Sequence, residues 1–131
     1  MNMERGKAAI VHIYATLNNT IIHVTDVSNA HTFSIHSGGS QVKADRLGSS
    51  PRAAMDAAKK VAEEISAKGI SAVHVKIRAA GGIKSKTTGP GARPAVKALE
   101  RAGIRILGIE NATPVPHDGC KRKGGRRGRK M

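Results

Sequence analysis

Residues 50–78, SPRAAMDAAKKVAEEISAKGISAVHVKIR, predict a helix that is followed at once by a strand. Ser50 is a good N-cap, Pro51 suits the first helical position, and Gly69 lies where the helix is expected to end. Apolar residues recur at helical spacing in 51–67, and the alanines among them allow close packing on a sheet. In the predicted strand 71–78, Val73, Val75 and Ile77 face a core, whereas His74, Lys76 and Arg78 face away.

Three strands are predicted before this unit, and a second helix and a last strand after it. Segments rich in β-branched residues predict strands over 8–15, 21–27 and 31–36, joined by short polar turns into an antiparallel meander. A helix is predicted over 92–102 and a strand over 104–109. In the order βββαβαβ, each helix joins strands that run parallel. We therefore predict a single α/β domain with a mixed five-stranded sheet and helices packed on it.

The chain is small and strongly basic. Its 131 residues suffice for one domain and contain 23 Lys and Arg against 9 Asp and Glu, a net charge of +14. Residues 65–99 and 121–131 each hold seven basic residues and no acid, and the remainder sums to zero. This distribution favours a polyanionic partner.

Other partner and compartment classes find no support in the composition. No apolar run reaches the roughly 18 residues of a membrane span, and residues 1–7 lack the apolar region of a signal peptide. The single cysteine, Cys120, cannot form an internal disulfide, which fits a reducing compartment. We expect a cytoplasmic protein with no membrane partner.

The loop AAGGIKSKTTGPGAR, residues 79–93, has the composition of a phosphate-binding loop. Glycines let backbone N–H groups approach an oxyanion, and the N-terminus of the following helix attracts negative charge. The spacing does not fit a Walker loop. The alternative is a plain strand-to-helix connection with solvated lysines. Contacts are expected from Gly81, Gly82, Lys84, Lys86, Thr87, Thr88, Gly89, Gly91 and Arg93.

The outward face of the strand 71–78 continues the cationic surface of this loop, with a plain solvated sheet face as the alternative, and the tail 121–131 forms a second cationic segment. So charged a tail cannot fold alone, and we expect it to be disordered when free and to order on a polyanion; solubilisation or nuclear import is the alternative. Because Tyr14 and Phe33 are the only Phe, Tyr or Trp residues and both fall in strands, no platform for stacking bases is expected. Further basic contacts are expected from Lys76, Arg78, Lys97, Lys121, Arg122, Lys123, Arg126, Arg127, Arg129 and Lys130.

Metal-dependent and nucleophilic chemistry find little support. His117 and Cys120 offer two ligands where zinc usually takes four. A metal-dependent nuclease needs several carboxylates, and the predicted strands offer only Asp26, with Glu110 just after the last strand. We expect no enzymatic activity, no cofactor, no metal and no small-molecule substrate. A nuclease-like enzyme and a regulatory RNA- or DNA-binding protein are the alternatives.

Five segments closely resemble the family of the eleventh universal small-subunit ribosomal protein. They are ATLNNTIIHVTD (15–26), SPRAAMDAAKKVAEE (50–64), HVKIRAAGG (74–82), TTGPGARPAVKALERAG (87–103) and NATPVPHDGCKRKGGRRGRK (111–130), in order over nearly the whole chain. The motif KGGRRGRK resembles archaeal and eukaryotic members and PHDGC the bacterial form, which together indicate an archaeal type.

The resemblance implies a structural protein of the small (30S) ribosomal subunit with a ribonuclease H-like sheet. It implies binding of ribosomal RNA on the platform near the mRNA exit region, with neighbouring platform proteins and mRNA as partners. Carried onto this sequence, the contacts include the Asn18–Asn19 hairpin tip and the Gly38–Gly39 turn, beside the loop 81–93 and the tail. We predict an RNA-binding domain at 1–120 and a basic tail at 121–131. Gly91→Val is expected to weaken RNA binding with only a modest effect on folding.

Overall fold

Five strands form one mixed sheet in the computed structural model, which describes residues 7–28, 30–41, 47–79, 81 and 88–115. The order across the sheet is β3-β2-β1-β4-β5. β2 is antiparallel to both of its neighbours, and β4 is parallel to β1 and to β5. The predicted mixed α/β fold in βββαβαβ order is confirmed. Its elements are β1 (Lys7–Ala15), β2 (Thr20–Thr25), β3 (Thr32–Ser37), α1 (Pro51–Ala67), β4 (Ile70–Arg78), α2 (Ala92–Arg101) and β5 (Arg105–Asn111).

The ends of α1 follow the predicted capping. The Ser50 hydroxyl accepts a hydrogen bond from the backbone N–H of Ala53 at 3.2 Å, and Pro51 opens the helix. Gly69 follows the last turn with φ of 86°, a conformation that glycine adopts without steric cost. The chain therefore reverses within three residues, and β4 begins at Ile70.

Both helices pack on the same face of the sheet and bury it. The predicted inward face of β4 is confirmed, and the alanines of α1 let the helix approach the strands closely. The core residues of the sheet are Ala9, Val11, Ile13, Ala15, Ile22, Val24, Ile70, Val73 and Val75, and those of the helices are Ala54, Ala57, Ala58, Val61, Ala62, Ile65, Ala92, Ala95, Val96 and Leu99. We call the opposite, helix-free face the open face.

A polar cluster fixes α1 over the edge strand β3. Ser34 is buried, and its hydroxyl donates to Oε1 of Glu64 at 2.6 Å, while Nε2 of His36 lies 2.8 Å from Oε2. The hydrogen bond from Ser34, followed by that from His36, lowers the pKa of Glu64 below its usual value. The cluster orients the helix because its members come from two separate elements.

β2 ends earlier than the sequence predicts. The prediction extends to residue 27, but the strand stops at Thr25 because Asp26 organises a turn. Its Oδ1 accepts hydrogen bonds from the N–H groups of Ser28 and Ala30, both at 3.1 Å, and from the Ser28 hydroxyl at 2.9 Å. The Ser28 hydroxyl, with backbone N–H groups, lowers the pKa of Asp26.

β5 is an edge strand that contributes little to the core. It extends two residues beyond the predicted end at 109, because Glu110 and Asn111 still pair with β4. Its position at the edge leaves Leu107 43% and Ile109 58% exposed. An apolar pattern alone therefore overstates the burial of this strand.

Candidate nucleic-acid interface

One edge of the sheet gathers segments that are distant in sequence. β1, β3 and β4 run in the same direction, so their carboxyl ends lie at the same edge. The turn 16–19 and the short 3-10 turn Gly38–Gln41 follow two of these ends. The segment before α2 reaches the same edge, because the N–H of Gly89 donates to the carbonyl of Ala15 at 2.9 Å. We call residues 16–19, 38–41, 79, 81 and 88–93 the carboxyl edge.

The predicted hairpin tip and the predicted Gly38–Gly39 turn form one surface. Asn19 joins them, since its Oδ1 accepts from the N–H of Thr20 at 2.8 Å and from the N–H of Gly39 at 2.9 Å. The Thr16 hydroxyl accepts from the N–H groups of Asn18 and Asn19 at 3.2 and 3.1 Å. The side chain of Asn19 is thus used to hold the two turns together, while Asn18 and Gly39 are exposed.

Gly38 and Gly89 are buried, and packing explains why neither can carry a side chain. A Cβ on Gly38 would lie 2.1 Å from the carbonyl oxygen of Gly48, and one on Gly89 would lie 2.0 Å from that of Thr16. The N–H of Gly89 is already bonded to the carbonyl of Ala15. These glycines shape the carboxyl edge by letting backbone segments approach one another.

Gly91, the N-cap of α2, is buried against β2 and α1. A Cβ there would lie 2.1 Å from Oγ1 of Thr20 and 2.9 Å from Cβ of Ala54. The expectation that Gly91→Val has only a modest effect on folding is therefore wrong, because the added side chain would enter the core. The same contact places the first turn of α2 beside the β1–β2 turn.

The remaining described residues of the predicted loop lie near the same edge. Gly81 has φ of 86°, and a Cβ on it would lie 2.4 Å from Cγ of Pro114, so the segment after β5 passes close by. Thr88 is half-buried. The predicted contacts Gly82, Lys84, Lys86 and Thr87, and those of the tail from Lys121 to Lys130, lie outside the described residues.

Exposed cations surround the carboxyl edge. Arg93 and Lys97 are exposed and four residues apart, so they lie on one side of α2 near its start. Arg78 is exposed at the end of β4, and Lys76 is half-buried on the open face. Among the described acids, Asp26, Glu64 and Glu100 belong to elements ending at the opposite edge of the sheet. The separation of charge is incomplete, because Glu110 lies near the carboxyl end of β5 and Lys68, Arg101 and Arg105 lie near the opposite edge.

Sequence reasoning missed a ring that the structure places beside a cation. Tyr14 lies on the open face and is half-exposed, and the guanidinium carbon of Arg78 lies 4.4 Å from its ring centroid. The two meet because Tyr14 and Arg78 are register partners in the parallel pair β1–β4. The contact is with a cation and not with a base, so the expectation of no platform for stacking bases stays a prediction; what the sequence did not indicate is the Tyr14–Arg78 pair itself. No local signal could reveal it, since strand pairing and register are set by tertiary structure.

Features of other functional classes are accounted for within the described residues. The carboxylate of Asp26 is occupied by its own turn. No three His, Cys, Asp or Glu side chains among the described residues lie together in a way that could hold a metal ion. In the same part of the chain, neither helix is both long and apolar enough to cross a bilayer.

A comparison with models of protein families identifies the family of this chain. The model of the family described as Ribosomal protein S11 matches residues 9–127, from β1 into the basic tail. The match contains the whole carboxyl edge and confirms the resemblance carried by the five segments. Proteins of this family are structural components of the small ribosomal subunit that bind ribosomal RNA among other ribosomal proteins, and they are not enzymes. The chain therefore belongs to the Ribosomal protein S11 family and is a structural, RNA-binding protein of the small ribosomal subunit.

Proposed function

We propose that the carboxyl edge is the surface with which this protein holds ribosomal RNA. The observation that carries the proposal is the convergence of the turn 16–19, the turn Gly38–Gln41 and the start of α2 beside exposed cations. Phosphate contacts dominate the affinity of RNA-binding proteins, and basic side chains and helix N-termini supply them. The edge offers both in one place.

The residues of this surface divide into contacts and supports. We propose Asn18, Gly39 and Thr88 as polar and backbone contacts, and the exposed cations as phosphate contacts. The buried glycines support them, because they allow the turns to pack without side chains. The cations assigned in this way are Lys76, Arg78, Arg93 and Lys97.

The basic tail is proposed as a second RNA-binding element beside a domain formed by residues 1–120. Residues 121–131 carry seven cations and no acid, a composition typical of arms that bind polyanions. The residues of the glycine-rich loop that lie outside the described part, Gly82, Lys84, Lys86 and Thr87, are proposed to extend the carboxyl edge.

We propose a location on the platform near the mRNA exit region, with platform proteins and mRNA as neighbours, in a cytoplasmic ribosome of archaeal type. The support is the resemblance of the five segments, which spans nearly the whole chain. Cross-linking of the protein within intact small subunits tests it, and cross-links that map only to RNA outside the platform would refute the location. Absence from small subunits in a sucrose gradient would refute assembly into the particle.

A matched pair of variants tests the role of the carboxyl edge. Arg93→Gln combined with Lys97→Gln removes the cation of the carboxyl edge and the neighbouring cation one turn further along α2, whereas Lys59→Gln combined with Lys60→Gln removes two exposed cations from the middle of α1. Both variants lose the same net charge, so any difference reports on position. Binding to a small-subunit ribosomal RNA transcript is measured across a range of salt concentrations.

We expect the Arg93 and Lys97 pair to matter more than its control. If both residues contact phosphates, the slope of log K against log salt falls by about 1.4 to 1.8, at about 0.7 to 0.9 for each contact. The control pair should leave the slope near that of the natural protein. Equal effects of the two pairs would show that the carboxyl edge is not the contact surface.

A further inference from the structure

The open face of the sheet carries aligned polar and aromatic side chains that no helix of the described chain covers. Strand register places His23, His12 and Lys76 side by side across β2, β1 and β4. The next row holds Ile21, Tyr14 and Arg78 in the same order. Such rows exist because register partners on adjacent strands point to the same side of a sheet.

Near the carboxyl ends of β1 and β4, this face carries a guanidinium group over an aromatic ring. Arg78 lies over Tyr14 at 4.4 Å, and its Nε donates to the carbonyl of Ala79 at 3.3 Å. Two contacts thus hold the guanidinium in place while the residue stays exposed. Unpaired RNA bases stack on aromatic rings and on guanidinium planes of this kind. Because the Tyr14–Arg78 pair is already assembled, its side chains lose little conformational entropy when a base binds.

A depression in the open face lies beside the pair. Its volume is about 220 Å³, below the roughly 300 to 1,000 Å³ of sites for drug-sized ligands. The rings of His12 and His23 lie 6.0 Å apart at its floor and add further stacking surface. Its lining residues are His12, Tyr14, Ile21, His23, Ile35, Lys76, Arg78 and Ala112.

We propose that the open face holds one unstacked base of the RNA on the Tyr14–Arg78 pair. The proposal rests on the proposed function and deepens it, because it adds a base-binding site to a surface that otherwise binds phosphates. An RNA ligand is favoured over a protein because a lysine, an arginine and two histidines line the depression and none of its lining residues is acidic, which suits the negative charge of a nucleotide. Lys76 is placed to meet the phosphate of the nucleotide bound there.

A base-dependent binding experiment with the full chain tests the proposal. The probes are a single-stranded oligouridylate and an abasic oligonucleotide of the same length and charge. The natural protein should bind the oligouridylate about 5- to 150-fold more tightly, the range expected for loss of one stacked base. Tyr14→Leu and Arg78→Lys should remove most of this preference and leave affinity for the abasic probe unchanged, because both keep the net charge.

Two controls separate stacking from folding and from phosphate binding. Tyr14→Phe retains the ring and should retain the preference. His74→Gln is the control on the same face, because it changes an exposed residue of β4 that lies four positions before Arg78. Thermal unfolding checks that each variant is folded, and Arg78→Lys changes only an exposed side chain. No preference in the natural protein, or full preference in both Tyr14→Leu and Arg78→Lys, would overturn the proposal. The Arg93 and Lys97 pair tests the proposed function separately, since it should weaken binding of both probes equally.

Discussion

Gly91→Ala is expected to destabilise the fold through one contact that can be isolated. The backbone at Gly91 has φ of −85° and ψ of −9°, which alanine adopts without strain, so the penalty is purely steric. The new Cβ would lie 2.1 Å from Oγ1 of Thr20, whose short β-branched side chain is stiff. That hydroxyl is fully buried and has no hydrogen-bond partner among the residues that the structure describes.

The expected loss follows from the size of the overlap. Overpacking of a core costs about 1 to 3 kcal/mol, partly offset by the about 0.4 to 1 kcal/mol that Gly→Ala contributes through the unfolded chain. We expect a net loss of about 1 to 2 kcal/mol, and a fall in melting temperature of roughly 4 to 10 °C for a domain of this size. Urea and thermal unfolding of the free protein measure both quantities.

A double-mutant cycle with Thr20→Ala identifies the contact responsible. Removing Oγ1 relieves the closest overlap, so Gly91→Ala should cost at least about 0.5 kcal/mol less in the Thr20→Ala background. Gly103→Ala is the control: its φ is 95° and no atom of the described part of the chain lies within 4 Å of the new Cβ, so its cost is backbone strain. That cost should be the same in both backgrounds. Additivity within about 0.5 kcal/mol for the Gly91 and Thr20 pair would refute the packing assignment.

Three further changes test the contribution of Glu64 to stability and the contributions of Gly39 and the basic tail to RNA binding. Glu64→Gln should make the melting temperature depend less on pH in the acidic range. Hydrogen bonds from Ser34 and then His36 lower the pKa of Glu64 in the folded protein. The stabilisation by this carboxylate is therefore present above the ordinary pKa of 4.5 and is lost as pH falls through the lower folded pKa. Melting temperatures across acidic pH measure this, and identical profiles would contradict it. Gly39→Ala should leave stability unchanged, because the nearest atoms to its Cβ would lie at 3.6 Å, and should weaken RNA binding; unchanged affinity would remove Gly39 from the contact surface. Deleting 121–131 should leave the melting temperature of the free protein unchanged while reducing the salt dependence of RNA binding by about 0.7 to 0.9 in slope per lost contact; an unchanged slope would show that the tail is not bound.

Local patterns were sufficient to predict the elements of the fold. The capping residues Ser50, Pro51 and Gly69 bound α1 as predicted, and the alternation in β4 identified its buried face. These signals succeed because capping and amphipathic alternation depend on residues that are near one another in sequence. The bounds of β2 and β5 differ because a side-chain turn at Asp26 ends one strand, and pairing with a neighbour extends the other.

The candidate site was only partly accessible from sequence. The glycine-rich loop and the clusters of basic residues are readable from composition, and they correctly indicated a polyanion-binding protein. The arrangement of these residues could not be predicted from composition. Gly38 and Gly91, which were assigned to contact phosphate, are buried where separate segments of the chain cross. A glycine needed for close packing and one needed for close approach of a ligand look identical in a sequence.

Sequence patterns were enough to predict the order of strands and helices along the chain, the buried faces of α1 and β4, the excess of positive charge and the family. Tertiary structure alone decided which segments meet. It brings Asn19 to Gly39, Gly91 to Thr20 and Arg78 to Tyr14, pairs that are 20 to 71 residues apart. The physical reason is that strand order and register, not local propensity, fix these contacts. A one-residue shift between β1 and β4 would turn Arg78 to the opposite face from Tyr14 and abolish the pair.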